Sequence, residues 1–255
     1  MAFLDLNCDM GESYGAYTLG YDEEAMPFVT SINVACGFHA SDPMHMVKTV
    51  KLAKKYGVAV GAHPGYPDLV GFGRRNMDLS PEEVKATIQY QLGALDGICR
   101  ANGVKLQHVK THGALYNTAG KNLKIAIATA EAIKEYNPDL YMLCLANSEM
   151  VTAAKQVGAK YVEESFADRA YMNDGSLAPR TVAGSVIHDV DVIVERVLKM
   201  AKEKEVIAVD GSVLKLDAPT VCVHGDTPGA VVMIKAIRNK LEAEGVTFKA
   251  FGEWK

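Results

Sequence analysis

Acidic and basic side chains recur in this sequence at the points where short apolar runs end. In residues 104–117, VKLQHVKTHGALYN, a lysine and a histidine occupy alternate positions after such a run and just before a glycine. Side chains two residues apart on a strand point to the same side. Amines, imidazoles and carboxylates gathered in one pocket are suited to proton transfer and to stabilising a developing negative charge. Three pairs have this spacing: Asn7 with Asp9, Lys110 with His112, and His224 with Asp226. Val109 and Thr111 are expected to turn the other way from Lys110 and His112.

Histidines are concentrated at these run ends. A single histidine at the end of a strand is most often a structural group that bonds a loop carbonyl. Four histidines at four separate run ends make that interpretation weak for the set His39, His63, His112 and His224. The other three, His45, His108 and His188, are interpreted as structural, because they fall in a predicted helix, within a predicted strand and near a helix start.

Strand-like runs alternate with helix-like segments along the chain, which is the pattern of βα units around a parallel sheet. Ser80 and Pro81 supply an N-cap and a first-turn proline for one of the helices. The stretch VIAVDGSVLKL centres Asp210 and Gly211 between alternating apolar residues and predicts an inserted tight β-hairpin. The predicted strands are residues 3–8, 31–36, 57–62, 105–110, 140–145, 159–163, 219–224 and 246–251. The predicted helices are residues 43–56, 81–101, 122–135, 148–157, 189–204 and 228–244.

Six of the predicted strands end in polar residues, and this observation separates two fold classes. In a parallel barrel all carboxyl ends lie on one face, where the following loops build the active site. An open doubly wound sheet would instead gather its ligands at one switch point. We therefore predict an irregular, seven-stranded parallel (β/α) barrel with a small hairpin insertion. No repeat, low-complexity segment or linker divides the chain, so residues 1–255 are expected to form one domain.

Composition narrows the function classes. The net charge is -4, with acidic and basic residues interspersed, so no basic stripe predicts a nucleic-acid partner. No apolar stretch is long enough to span a bilayer, and the start, MAFLDLNCDMGE, lacks the form of a signal peptide. The five cysteines are odd in number and form no CxxC pair, which favours reduced thiols in a cytoplasmic protein.

A glycine-rich loop at residues 61–75, GAHPGYPDLVGFGRR, is expected to cover the site. Its Arg74 and Arg75 would either grip a carboxylate or phosphate or lie on the solvated surface. The sequence contains neither GxxxxGK[ST] nor GxSxG. It therefore predicts neither a Walker-type ATP cradle nor a serine-hydrolase nucleophile elbow.

Eight motifs span nearly the whole chain in this order: DLNCDMGE, NVACGFH, GAHPGYPD, GFGRR, HGALYN, FADRAY, LAPR and VHGDTP. Together they resemble the LamB/YcsF family. The resemblance implies a barrel related to the polysaccharide deacetylases and a part in the ATP-coupled opening of 5-oxoproline to L-glutamate, with separate B and C subunits as partners. The chain departs from the family pattern at Ser41 and Thr111, which flank histidine positions without replacing them.

Under this implied function, the partners would phosphorylate the lactam oxygen with ATP and the barrel would hydrolyse the activated ring. ATP is then used by the complex and is not expected to bind this chain alone. The hypothesis assigns Asp9 or Asp226 as general base, His112 and His224 as proton carriers, Lys110 and Arg169 as clamps on the oxyanion or phosphate, and Asp168 and Glu12 as orienting groups. His39 and His63 complete the predicted set of site residues.

Other hypotheses stay open at this point. The deacetylase relation suggests a divalent metal held by Asp9, His63 and His112, which would lower the pKa of a bound water from about 15.7 toward 7. The sequence has no compact metal motif such as HExxH. A metal-dependent deacetylase that works alone is a second class of function, and a non-catalytic subunit that binds the lactam and holds its partners is a third.

Overall fold

The computed structural model describes residues 2–225 and 229–253, and its centre is a closed parallel barrel. The last barrel strand pairs with the first, with Asp5 opposite Thr220 and Cys8 opposite Val223. The predicted seven-stranded barrel is therefore confirmed. In spatial order its strands are β1 (Ala2–Met10), β2 (Ser31–Ala35), β3 (Ala59–His63), β4 (Leu106–Val109), β5 (Tyr141–Leu145), β6 (Lys160–Phe166) and β9 (Thr220–Val223).

Three short strands lie outside the barrel. β10 (Val246–Phe248) runs parallel to the amino end of β1 and pairs with it. β7 (Glu205–Ile207) and β8 (Val213–Lys215) form an antiparallel ribbon. The predicted hairpin is present, but residues 208–212 connect its strands, with Ala208 N donating to Ser212 O at 2.9 Å, so the turn is longer than the two-residue form expected.

Eight α-helices are described, and most of them follow a barrel strand and cover the outside of the barrel. The side chain of Asp42 caps α2 by accepting from two backbone N–H groups, and Ser80 forms a reciprocal capping box with Glu83 on α3. The helices are α1 (Asp22–Ala25), α2 (Pro43–Tyr56), α3 (Pro81–Ala101), α4 (Gly113–Lys121), α5 (Leu123–Tyr136), α6 (Glu149–Val157), α7 (Val190–Glu203) and α8 (Ala230–Ala243). Within the described residues, no helix is both long and apolar enough to cross a membrane.

Two helices were not predicted from the sequence, the four-residue α1 and the longer α4. α4 begins at a glycine, and its N-cap His112 makes no capping hydrogen bond with its side chain, so the usual start signal is missing. Gly113 has φ of 56°, and a Cβ there would lie 2.6 Å from the carbonyl oxygen of Gly73. The glycine therefore permits a close backbone contact that fixes the loop of residues 64–80 against the start of α4.

The barrel interior is unusually polar. Leu6 and Cys8 alternate with Asp5, Asn7 and Asp9 along β1, and all five side chains are buried. Burying a polar group is costly unless it is hydrogen-bonded, and these groups have partners from neighbouring strands. The apolar core therefore lies between barrel and helices, while the polar interior leads to the carboxyl ends of the strands.

Candidate active site

A cavity of about 910 Å³ opens at the carboxyl ends of the barrel strands. Six predicted site residues line it: Asp9, His63, Lys110, His112, Arg169 and His224. Three further predicted residues contact this lining from outside, since Glu12 and His39 lie against His112, and Asp168 against His224. Asp226 lies outside the described residues.

Lys110 is the centre of the buried polar network. Its Nζ lies 3.1 Å from Asp9 Oδ1, 3.0 Å from Glu164 Oε1 and 2.9 Å from Cys222 Sγ. Burial disfavours the ammonium, but the nearby charges, Asp9 first, outweigh that effect and raise the pKa of Lys110 well above its ordinary value. Lys110 is therefore a fixed cation in the cavity wall.

The carboxylates around Lys110 are held by amides and a phenol. Asn33 donates to Asp9 Oδ1 at 2.8 Å, and Asn7 donates to Glu164 Oε1 at 2.9 Å. The hydroxyl of Tyr116 donates to the other oxygen of Glu164, also at 2.9 Å. Each carboxylate thus keeps one orientation toward the ammonium.

Asp9 is a strongly stabilised anion. Burial alone would raise its pKa, but the charges of His63 and Lys110 outweigh burial and hold the pKa of Asp9 well below its usual range. A carboxylate with so low a pKa is a weak base. This favours Asp9 as an orienting and charge-balancing group over the predicted role of general base.

His63 and His112 face each other across the site. His63 Nδ1 donates to the carbonyl of Lys110 at 2.7 Å, and His112 Nε2 donates to the carbonyl of Phe72 at 2.9 Å. The remaining nitrogens, His63 Nε2 and His112 Nδ1, are 2.9 Å apart. In neutral rings both of these nitrogens carry lone pairs, so the contact needs a proton or another cation between them.

His39 completes this group. Its ring stacks on His112 with centroids 3.7 Å apart, it is fully buried, and neither ring nitrogen has a hydrogen-bond partner among the described residues. Burial first, and then the charge of His63, hold the pKa of His39 well below its ordinary value, so the ring is neutral. Glu12 Oε1 lies 3.5 Å from His39 Nε2.

Among the described residues, two groups of side chains could hold a metal ion. Glu12, His39, His63 and His112 each offer a ligand atom, and these atoms lie within 4.8 Å of one another. Asp9, Cys222 and His224 form a second such group. The predicted metal set of Asp9, His63 and His112 is therefore divided between the two groups, although Asp9 Oδ2 is only 3.5 Å from His63 Nε2.

Asp168 and His224 form a separate acid–base pair. His224 Nδ1 lies 2.9 and 3.0 Å from the two carboxylate oxygens, and its ring stacks on Phe166. Burial would raise the pKa of Asp168, but the charge of His224 outweighs it and lowers the pKa. The carboxylate fixes the tautomer, so Nε2 is left to act on a molecule in the cavity.

Arginines occupy another part of the cavity wall. Arg169 is almost fully buried and donates to the carbonyls of Ala178 at 2.6 Å and Ser185 at 3.3 Å. Arg74 also lines the cavity, whereas its neighbour Arg75 pairs with the carboxylate of Asp68. The two arginines of the glycine-rich loop therefore have different surroundings, with Arg74 at the cavity and Arg75 bound within the loop.

One residue of this site was not predicted from the sequence, and another was placed wrongly. Glu164 was not predicted, although it lies two residues before Phe166 and so shares its face of β6. Thr111 was expected to turn away from the cavity but lines it, because β4 ends at Val109 and strand alternation no longer applies.

The fold and the site define a parallel (β/α) barrel with an acid–base cavity at the carboxyl ends of its strands. The chain belongs to the LamB/YcsF family, whose model matches residues 4–255. A Clostridium beijerinckii protein, named as the A subunit of 5-oxoprolinase, is 56% identical over 243 residues, which are 95% of each chain. The Pyrococcus furiosus protein of the same name is 51% identical over 251 residues, or 98% of each.

A solved structure has the same fold throughout. The crystal structure of the lactam utilization protein from Thermus thermophilus is 47% identical and superposes with a TM-score of 0.93, covering 97% of this chain and 99% of that one. The architecture described above is thus that of an experimentally determined relative.

Proposed function

We propose that this chain is the A subunit of a 5-oxoprolinase, which opens 5-oxoproline to L-glutamate with ATP and with separate B and C subunits. The observation that carries the proposal is the buried Lys110, held by Asp9 and Glu164 in a cavity that also contains the Asp168–His224 pair. The names of the relatives support the substrate and the existence of further subunits.

Opening a lactam requires an activated carbonyl, because amide resonance opposes attack by water. In the first proposed reaction step, the partner subunits transfer the γ-phosphoryl group of ATP to the lactam oxygen. One water then adds to the ring carbon, and the carbon–nitrogen bond breaks as a proton reaches the nitrogen. A second water releases phosphate from the resulting acyl phosphate, which leaves L-glutamate.

The described residues fit these steps. The ammonium of Lys110 stabilises negative charge that develops on oxygen at the ring carbon. His224, oriented by Asp168, removes a proton from water and returns one to the leaving nitrogen. The electrostatics around Asp9 favour this assignment over Asp9 as the base, while Asp226 keeps its predicted role as the alternative base.

A divalent metal is a second candidate for activating water. Two observations favour it: both nitrogens of the buried His39 lack hydrogen-bond partners among the described residues, and lone pairs of His63 and His112 converge. Glu12, His39, His63 and His112 would hold the ion, since imidazoles with one carboxylate suit zinc and related metals. Such an ion would supply Lewis acidity and lower the pKa of a bound water.

The proposal also includes a cytoplasmic location and an ATP site outside this chain. All five cysteines are buried and unpaired, which supports a reducing compartment and hence the cytoplasm. Because the sequence contains no Walker motif, the ATP site is assigned to the partner subunits.

The proposal is tested by reconstitution. The purified chain alone should neither hydrolyse ATP nor open 5-oxoproline, and both activities should appear when the B and C subunits are added. ATP hydrolysis by the isolated chain would contradict the division of labour. Assembly with normal turnover after loss of the Lys110 ammonium would instead favour the non-catalytic, lactam-binding role.

A further inference from the structure

We infer that His108 is a positioning residue of the candidate active site, because it holds the amide of Asn33 in the one orientation that lets this amide donate to Asp9 beside Lys110. The sequence alone predicted only a structural role for this histidine. The effect on turnover rests on the proposed function, whereas the hydrogen-bond pattern belongs to the chain itself.

Asp9 decides how the amide of Asn33 lies. Asn33 Nδ2 is 2.8 Å from Asp9 Oδ1, and the same nitrogen is 2.8 Å from Asn7 Oδ1. An ionised carboxylate only accepts hydrogen bonds, so the group of Asn33 that faces Asp9 has to be the NH2 group. The amide oxygen of Asn33 therefore points the other way, toward the ring of His108.

The position of the proton on His108 follows from this orientation. His108 Nε2 lies 2.8 Å from Asn33 Oδ1, and an amide oxygen only accepts, so Nε2 has to donate. Burial first, and then the charge of Lys110, lowers the pKa of His108 to about 3, so the ring is neutral and carries its single proton on Nε2. The other nitrogen, Nδ1, lies 3.1 Å from the side-chain amide of Gln107, which can donate to it by presenting its NH2 group.

A second amide continues the same direction of hydrogen bonding to another carboxylate. Asn7 accepts from Asn33 through its oxygen, and its own Nδ2 donates to Glu164 Oε1 at 2.9 Å. Asp9 and Glu164 are the two carboxylates beside the ammonium of Lys110, at 3.1 and 3.0 Å. The proton on His108 thus starts a series of donors that ends on both counter-ions of Lys110.

The backbone opposite His108 leaves room for this contact. Gly61 pairs with His108 in the sheet, and a Cβ on Gly61 would lie only 2.0 Å from His108 Nε2. On its other side the ring packs against Phe251, with centroids 5.3 Å apart. His108 and Asn33 are both fully buried, so bulk water cannot compete for their hydrogen bond. The imidazole is therefore held in one place.

The orientation of Asn33 matters to the reaction because Lys110 has to act from a fixed position. If the amide turned, its oxygen would face Asp9 Oδ1, and repulsion would move this carboxylate and the ammonium that it binds. A displacement of about 1 Å in an active site is enough to cost about 100-fold in rate. Lys110 stabilises charge that develops only in the transition state, so the loss should appear in kcat and not in KM.

The test compares two variants of similar length in the reconstituted complex, with 5-oxoproline as substrate. His108→Gln places an amide N–H where Nε2 was, whereas His108→Met places no donor there. His108→Met should lower kcat by about 10- to 100-fold and change KM by less than about twofold, because Lys110 is displaced but still present. His108→Gln should recover most of the lost kcat.

His45→Met is the matched control, because His45 lies outside the cavity and its ring bonds the carboxylate of Asp42 at 2.7 Å. It removes an imidazole hydrogen bond of similar length and should leave kcat unchanged. Both His108 variants lose the ring contact with Phe251, so a merely structural His108 predicts equal losses of stability and of kcat in the two. Equal kcat in His108→Met and His108→Gln would overturn the inference, and melting curves show how much of each protein is folded.

NMR of the purified chain decides the hydrogen-bond pattern without turnover, including the case in which His108→Met does not fold. In a chain with ¹⁵N-labelled histidine, His108 should be the neutral tautomer with its proton on Nε2 between about pH 5 and 8, and its signals should be absent from His108→Gln. A proton on Nδ1 alone would overturn the inference, because Asn33 would then present its oxygen to Asp9. If the Nε2 proton is present but the complex opens no lactam, the proposed function fails while the orientation of Asn33 by His108 stands.

Discussion

Asp5 and Asp9 lie on the same face of β1, four residues apart, and both are buried. Asp5 is surrounded by the hydroxyls of Thr30, Ser31 and Thr220, and burial raises its pKa to about 6. Asp9 has the cation of Lys110 and the ring of His63 beside it, and its pKa is lowered.

The opposite pKa shifts of Asp5 and Asp9 show how the neighbours of a buried carboxylate decide whether it is ionised. Hydroxyls satisfy a carboxylate but supply no full charge, so desolvation dominates at the amino end of the barrel. At the carboxyl end a fixed cation reverses the balance and keeps the carboxylate ionised. Variants of Lys110, His112 and Asp5 therefore test this contrast between the surroundings of Asp5 and those of Asp9.

The largest effect is expected for Lys110→Met, which removes the fixed cation. Activity of the reconstituted complex should fall by about 2 to 4 kcal/mol of transition-state stabilisation, the scale of losing one oxyanion-stabilising group. Because Lys110 is buried, the same variant should also lose stability. Removing one partner of a buried ion pair costs about 3 to 5 kcal/mol, because the carboxylates stay buried and uncompensated.

A double variant separates the two effects. Lys110→Met combined with Glu164→Gln removes one of the orphaned charges and should recover part of the free energy of unfolding while activity stays low. Denaturant unfolding and steady-state rates measure both quantities. Full activity in either variant would refute the assignment of Lys110 to the reaction.

His112→Ala should have the next largest effect. A cost of roughly 2 to 4 kcal/mol in kcat/KM is expected for a group that carries a proton or binds the water-activating ion. His188→Ala is the matched control, because His188 is exposed and lies outside the cavity. Melting curves measured beside the rates show whether lost activity merely follows lost folding.

Metal content distinguishes the two roles of His112. If Glu12, His39, His63 and His112 hold zinc, the purified wild type should contain about one equivalent by mass spectrometry after incubation with zinc and dialysis, and His112→Ala should retain less. If the wild-type protein retains no zinc, a proton shared between His63 Nε2 and His112 Nδ1 is the cation that their contact requires. Near-normal rates in a folded His112→Ala would end both assignments.

The sequence predicted the periodic parts of this molecule well and the contacts between segments poorly. Residues 43–56 and 81–101 were predicted with the bounds that α2 and α3 have, because capping residues and apolar spacing are local signals. Alternation places Glu164 on the same face as Phe166, but the pairing of β6 with β5 and β9 decides which face points into the barrel, and no local signal predicts it. The pairing of His63 with His112 depends on carbonyls of Lys110 and of the distant Phe72, which only the fold brings together.

The smallest effect is expected at Asp5 and appears as a dependence of stability on pH. Because the folded pKa of about 6 lies above the ordinary 3.8, the folded state holds its proton at pH values where the unfolded chain has lost it. Stability from this group is therefore complete below about pH 4 and falls as pH rises toward 6, by at most about 3 kcal/mol. Asp9 acts oppositely, since its lowered pKa gives stability that is lost only as pH falls below the ordinary range.

The side chain introduced by Asp5→Asn cannot ionise, so this variant should flatten the decline of stability between about pH 4 and 6. The kcat of the complex at neutral pH should stay within about twofold of the wild type. Urea unfolding at intervals of about half a pH unit checks this, with the exposed Asp139→Asn as control. If the free energy of unfolding of Asp5→Asn falls with pH as steeply as that of the wild type, the hydroxyls keep Asp5 ionised. The surroundings of Asp5 and Asp9 would then not differ in the way described.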